Sequence, residues 1–280
     1  MQKLEVFQSV WAMERRALDG MEWSLAEQVE MLKAAGYDGM DLLTGRPDQC
    51  REAAKLLQAQ GLANTGCAFP KSVEGPQADI DVALEIGATH LNIIGQVFPF
   101  TVEEGVDVIR AWLDMCDAAG MPAMIETHRD CITTDFYYML QLMEAVPHMP
   151  VCADLSHYVV GREFDWPISD LNNDLVGRIL DCAVGFQGRV ASREQIQLQI
   201  SFPHHKEWFD LFLGWWERGF RAWRARAPEG AALNFLCELG PKEYAITGPD
   251  GEEQSDRWEE ALVIKDHVRA IWERLDSEDS

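Results

Sequence analysis

The feature that most constrains the fold of this chain is an alternation of short apolar segments with longer stretches of helical periodicity. Eight segments have the length and composition of buried strands, at positions 3–10, 39–43, 62–67, 90–95, 123–128, 151–156, 184–190 and 233–239. Amphipathic stretches separate them; one begins at Ser24, which forms a capping box with Glu27, and ends at Gly36. Eight alternations in 280 residues predict an α/β fold, a (β/α)8 TIM barrel, with a single domain over residues 1–280.

An open, doubly wound sheet is the alternative fold with the same alternation. Such a sheet typically carries a glycine-rich phosphate loop early in the chain, and neither G-x-G-x-x-G nor a P-loop occurs here. No linker or low-complexity block divides the sequence. The barrel is therefore the favoured fold, and it places an active site at the carboxyl ends of its strands.

Composition and charge narrow the class of partner. The formal net charge of -23 argues against binding to nucleic acid or to an anionic membrane surface, since both need a basic face. No apolar run reaches the length of a membrane span, and the seven cysteines contain no Cys-x-x-Cys pair, as expected for reduced thiols. We expect a cytoplasmic protein whose partner is a small molecule.

Polar residues near the ends of the last four strands have the parity of the barrel interior. Side chains of a strand alternate between the interior and the helix layer, and the apolar residues of these segments take the helix side. Parity also turns His128 and Arg189 toward the mouth. The inward oxygen donors, one from each of four successive strands, are Glu126, Asp154, Gln187 and Glu238.

This set of donors predicts a metal site. Neighbouring strands lie roughly 4.8 Å apart, so the four side chains can converge on one point. Three carboxylates at such range raise one another's pKa unless a cation neutralises them. Oxygen ligands suit Mg²⁺ or Mn²⁺ better than Zn²⁺. We therefore expect Glu126, Asp154, Gln187 and Glu238 to bind a divalent ion, Mn²⁺ or Mg²⁺.

The same residues carry a family resemblance. Glu126, the Asp154-Leu-Ser-His157 stretch and Glu238 resemble the metal-site pattern of the xylose isomerase-like sugar isomerase/epimerase superfamily, and the resemblance covers nearly the whole chain. Gln187 departs from it, since the family usually has His on strand seven, while Arg189 follows two residues later as in many relatives. The resemblance implies a metal-dependent enzyme acting on a carbohydrate.

The predicted chemistry is proton abstraction next to a carbonyl, with Glu126 and Glu238 as the catalytic carboxylates. Substrate contacts are expected from four residues that also have structural interpretations as caps, salt bridges or rim packing: Trp11, His128, His157 and Arg189. Isomerisation and epimerisation both fit; the alternatives are a lyase acting on a keto-sugar or glycoside, and a barrel that has lost its metal. Phosphodiester cleavage, as in endonuclease relatives, is rejected because it needs more His ligands and a basic groove.

Two structural expectations complete the picture. The adjacent pair His204 and His205 is interpreted as the exposed start of a helix. The helix from His204 to Arg226 carries apolar residues around much of its circumference, which makes it a candidate for a contact in a homo-oligomer.

Overall fold

The computed structural model describes residues 1–15 and 22–278 and contains a closed barrel of eight parallel strands, which neighbour one another in chain order. Pairing of β1 with β8, with Phe7 opposite Leu236, closes the barrel. The strands are β1 (Lys3–Ser9), β2 (Gly39–Leu43), β3 (Ala63–Ala68), β4 (Leu91–Ile93), β5 (Ala123–Glu126), β6 (Val151–Ala153), β7 (Ala183–Gly188) and β8 (Ala232–Cys237). The predicted (β/α)8 barrel and all eight predicted strands are confirmed.

Helices follow every strand and form the outer layer. They are α1 (Leu25–Ala35), α2 (Pro47–Ala59), α3 (Pro76–Glu85), α4 (Val102–Ala119), α5 (Phe136–Ala145), α6 (Ser156–Gly161), α7 (Asp170–Leu180), α8 (Lys206–Arg226) and α9 (Arg257–Glu278), with short 3-10 helices at Trp11–Met13 and Pro203–His205. The capping box of Ser24 and Glu27 is present, and Gly36 ends α1 with a φ of 74°, which a glycine adopts without strain.

Strands five to eight end earlier than their apolar segments suggest. Residues Asp154, Arg189 and Glu238 lie just beyond the ends of β6, β7 and β8. These side chains therefore stand at the carboxyl mouth of the barrel rather than within the ladder. Their inward direction follows the register: Cys152 pairs with Glu126, and Gly185 pairs with both Cys152 and Asn234.

The apolar residues of α8 are used inside the monomer. Seven residues of this helix are buried, and its aromatic rings meet Phe186, Phe235 and Trp272 edge to face or at a tilt. Packing in one chain thus accounts for the apolar circumference, which therefore gives no argument for a subunit contact.

The interpretation of His204 and His205 as an exposed helix start is wrong for His205. That side chain is 8% exposed, and its Nδ1 makes a 2.8 Å hydrogen bond with the carbonyl oxygen of Gln199. It belongs to the 3-10 turn that leads into α8. In the part of the chain that the structure describes, no helix is both long and apolar enough to cross a membrane.

Candidate metal and active site

Three carboxylates from three strands meet at the carboxyl mouth of the barrel. Glu126, Asp154 and Glu238 each offer an oxygen atom, and these atoms lie within 4.8 Å of one another. The first two side chains are 1% and 0% exposed, and Glu238 is partly exposed. The structure thus brings together the three carboxylates that strand parity predicted.

Glu126 is held in place by two side-chain amides from other strands of the barrel. The Nδ2 of Asn92, on β4, donates to Oε2 of Glu126, and the Nε2 of Gln187 donates to the same oxygen at 2.8 Å. Asn92 was not predicted as a site residue, although its position in an apolar strand with inward parity is a signal that could have found it. Both amides leave the second carboxylate oxygen of Glu126 available.

Asp154 is oriented by the start of α6. Its Oδ1 accepts hydrogen bonds from the backbone N–H of Ser156, at 2.9 Å, and from the hydroxyl of the same residue. The β6 strand ends one residue earlier, so this turn presents the other oxygen to the interior. Ser156 was not predicted as a site residue; its two hydrogen bonds fix the carboxylate.

Buried oxygen atoms without partners point to a cation. Oε1 of Glu126, Oδ2 of Asp154 and Oε1 of Gln187 are inaccessible to solvent and accept no hydrogen bond from any residue that the structure describes. Leaving such atoms unpaired is costly, and a hard divalent ion is the ligand that carboxylate and amide oxygens suit. The donor set therefore fits Mg²⁺ or Mn²⁺.

Arg189 is the cation that the protein itself supplies. Its side chain is buried, and its Nη2 donates to Glu238 and lies 3.7 Å from Oδ2 of Asp154. Three carboxylates and one guanidinium together carry two net negative charges, which one divalent cation would neutralise. Arg189 thus makes structural ion pairs within the site, one of the two roles expected for it.

Burial raises the pKa of Glu126 well above its ordinary value, and the negative charges of Glu238 and Asp154 raise it further. The pKa of Glu238 is also raised, chiefly by burial, while Arg189 acts in the opposite direction. Without a metal, protonation is therefore the way in which the site relieves its charge.

His128 and His157 form a second group with Glu126 that could hold a metal. Their rings lie 3.9 Å apart, and Nε2 of His157 is 3.4 Å from Oδ2 of Asp154. Burial lowers the pKa of His128 to about 4 and lowers that of His157 well below its ordinary value, with a contribution from His128 to the latter. Both imidazoles are therefore neutral at pH 7 and can ligate or accept hydrogen bonds.

Trp11 and Tyr244 form the rim of the mouth. Their rings meet edge to face at 5.1 Å, and the guanidinium carbon of Arg189 lies 5.9 Å from the Trp11 ring and 5.2 Å from the Tyr244 ring. A Cβ at Gly240 would lie 2.3 Å from the indole of Trp11, so only a glycine permits this packing. Tyr244 lies in a loop without a periodic pattern, and nothing in the sequence marked it.

A fourth carboxylate on the inward face, that of Asp41 on β2, is buried and was not predicted as a site residue. Thr65 donates to its Oδ1 at 2.6 Å. Burial raises the pKa of Asp41 to about 7, the hydrogen bond from Thr65 opposes this, and Glu238 raises it further. A carboxylate at an inward position of an apolar strand was a signal available in the segment 39–43.

Comparison with known proteins supports the fold. No protein-family model and no curated protein matches the sequence. Among solved structures, the chain is similar to a xylose isomerase-like TIM barrel protein from Mycobacterium smegmatis in complex with magnesium, at 14% identity and a TM-score of 0.60, over 96% of this chain and 97% of that one.

Two further similar solved structures carry the names of different enzymes. D-psicose 3-epimerase with D-tagatose, from Clostridium cellulolyticum H10, matches at 12% identity and a TM-score of 0.57, over 96% of this chain and 99% of that one. An AP endonuclease of family 2 from Brucella melitensis matches at 13% identity and a TM-score of 0.55, over 85% and 93%. At these identities the comparisons show that this chain has the xylose isomerase-like TIM barrel fold, which confirms the predicted resemblance at the level of fold.

Proposed function

We propose that this protein is a divalent-metal-dependent isomerase or epimerase that acts on a sugar or sugar derivative. The observation that carries the proposal is the meeting of Glu126, Asp154 and Glu238 within 4.8 Å at the carboxyl mouth of the barrel. The place of the cluster supports a catalytic role, because active sites of this fold lie at that end.

The three carboxylates would hold the ion, with Gln187 as a neutral fourth ligand. The amide nitrogen of Gln187 donates to Glu126, and its amide oxygen has no hydrogen-bond partner among the residues that the structure describes, so this oxygen is the atom that would ligate the ion. When bound, Mg²⁺ or Mn²⁺ supplies Lewis-acid polarisation of a substrate carbonyl.

Glu126 and Glu238 are assigned as the proton-transferring groups. They come from β5 and from the end of β8, on different parts of the barrel wall, so they approach a substrate carbon from different directions. One carboxylate accepts the proton next to the carbonyl, and the other returns a proton. Return to the opposite face of the same carbon inverts it, whereas return to the neighbouring carbon isomerises the sugar.

The remaining residues at the mouth would position the substrate. His128 and His157 are neutral, so they can accept or donate a hydrogen bond to hydroxyl groups without adding charge. Trp11 offers an aromatic face, and Arg189 keeps Glu238 and Asp154 in place.

The proposal is tested by elemental analysis of protein purified without chelator, followed by a screen of aldo- and keto-sugars in deuterated water. We expect about one equivalent of Mn²⁺ or Mg²⁺ and metal-dependent incorporation of deuterium next to a carbonyl. A dehydrated product would instead identify the lyase alternative. Protein that binds no divalent ion and exchanges no proton would identify the barrel as an inactive relic.

Phosphodiester cleavage is not favoured, despite the similarity in fold to an endonuclease. The chain has seven His and a formal charge of -23, and its site is dominated by carboxylates. A nucleic acid would need a basic surface to bind.

A further inference from the structure

One arginine at the mouth has no carboxylate to neutralise it. Arg129 follows His128 directly, is exposed, and stands over the ring of Tyr244 with its guanidinium carbon 5.1 Å from the ring centre. It forms no ion pair within residues 1–15 and 22–278, not even with its neighbour Asp130.

Tyr244 connects this arginine to the candidate active site. The same ring lies 5.2 Å from the guanidinium carbon of Arg189, which in turn pairs with Glu238 and Asp154. Arg129 directly follows His128, whose ring lies 3.9 Å from that of His157, and Nε2 of His157 is 3.4 Å from Oδ2 of Asp154. A sugar-sized molecule at the carboxylates is therefore within reach of Arg129.

The balance of charge shows what Arg129 lacks. Glu126, Asp154 and Glu238 would be balanced by Arg189 and one divalent ion. None of these carboxylates is then left over for Arg129, and its guanidinium stays available to a negatively charged group of a substrate.

We propose that Arg129 is a specificity-determining residue that binds an oxyanion on the substrate, so that the substrate is an acidic sugar derivative rather than a neutral sugar. This inference rests on the proposed function, because that function places the reacting carbon of the substrate at the three carboxylates. A carboxylate matches the single charge and the two-pronged geometry of a guanidinium; a phosphate has the same chemistry with more charge. Tyr244 keeps the guanidinium at the mouth by stacking.

The test compares matched ligands on the Mn²⁺-loaded protein by titration calorimetry: hexuronates and aldonates, hexose 6-phosphates, and the corresponding neutral hexoses. The parent should bind at least one anionic member about ten times more tightly than its neutral partner, since one charge-assisted contact is worth roughly that factor or more. Larger selectivity for 6-phosphates than for carboxylates would identify phosphate as the oxyanion.

Three variants assign the effect to Arg129. Arg129→Ala should remove the preference for the anion and leave binding of neutral sugars unchanged, while Arg129→Lys should keep part of it. Arg162→Ala is the matched control, because Arg162 also stacks on a tyrosine, Tyr137, at 4.8 Å and forms no ion pair within the described ranges. The control should behave like the parent.

Two results separate this inference from the proposed function. Equal binding of acids and neutral sugars, or an unchanged preference in Arg129→Ala, would overturn the inference even if metal-dependent deuterium exchange into neutral sugars is found. Absence of exchange with every sugar would remove the proposed function, whereas a preference for anions that is lost in Arg129→Ala would still establish the oxyanion site.

Discussion

Charge compensation explains the candidate site at the scale of single residues. Glu126 accepts hydrogen bonds from two amides, Asp154 from the start of α6, and Glu238 from Arg189. Each carboxylate therefore has one satisfied oxygen. The oxygens without partners on Glu126 and Asp154 remain for an ion.

Replacing Glu126 or Glu238 by Gln should reduce turnover by about 10²–10⁴-fold, since each change keeps the shape and removes a negative charge and a proton-transferring group. Steady-state kinetics on the substrate found by the screen measures this, with circular dichroism to confirm the fold. More than about a tenth of the parent activity in both variants would contradict the two-carboxylate assignment.

As the proposed fourth ligand, Gln187 should influence which ion the site prefers. The Gln187→His variant should still bind a metal ion. Its preference should shift toward Co²⁺ or Zn²⁺, because imidazole suits those ions better than an amide oxygen does. Gln187→Ala should weaken Mn²⁺ only modestly, since three carboxylates remain. Competition between ions, followed by elemental analysis, measures the order; an order that is the same in all three proteins would show that Gln187 is not a ligand.

At the scale of elements, the close approach of β1, β2 and β3 depends on Gly39. A Cβ at this position would lie 2.1 Å from the carbonyl oxygen of Ala63 and 2.7 Å from the ring of Phe7, and the first of these is backbone that cannot move alone. The register Phe7–Gly39–Ala63 therefore requires a residue without a side chain.

Gly39→Ala should lower the free energy of unfolding by about 1–3 kcal/mol or more, since overpacking at this pairing pushes two strands apart. Gly45→Ala is the control, because a Cβ there meets nothing within 4 Å, and the change should stay within about 0.5 kcal/mol. Urea denaturation of both variants gives the comparison. Equal stability of the two would show that β2 can shift in the barrel.

At the scale of the whole molecule, the metal and the fold should be linked. A single barrel domain over residues 1–280 remains a prediction, which one calorimetric transition would support. Burial raises the pKa values of Glu126, Glu238 and Asp41 in the folded protein without metal. The folded protein therefore keeps protons on these three carboxyl groups at pH values at which the unfolded chain has already released them.

The sign of the pH dependence follows. The contribution of these carboxyl groups to the free energy of unfolding is fully present at pH values below their ordinary pKa values. It is lost as pH rises through the raised pKa values, of which that of Asp41 is about 7. The lowered pKa of His128 acts in the opposite direction between about 4 and 6.5, so the test belongs above pH 6.5.

Between pH 6.5 and 8 the melting temperature of the chelated protein should therefore fall. Mn²⁺ should raise it, more so at pH 8 than at pH 6.5, because ligand binding to the folded state stabilises it. Calorimetry with chelator and with Mn²⁺ measures both curves. A melting temperature that is independent of metal, and that rises in Glu126→Gln, would identify a metal-free relic.

The local sequence by itself determined the number of strands, the barrel and the inward face of each strand, because these follow from periods of two and 3.6 residues that need no partner. Parity, which is a local property, also predicted that Glu126, Asp154, Gln187 and Glu238 face the interior, and the structure brings the three carboxylates together. Asp41 and Asn92 had the same parity, and only their surroundings reveal that they are buried beside the others.

Only the tertiary structure decided how these groups compensate one another. The pairing of Arg189 with Glu238, the contact of Asn92 with Glu126 and the position of Arg129 over Tyr244 join segments that are 49, 34 and more than a hundred residues apart. Such contacts depend on the register and curvature of the closed barrel, which no single segment encodes. The burial of the aromatic face of α8 depends on the same closure, because the apolar stripe of a helix does not specify whether its cover is the same chain or another.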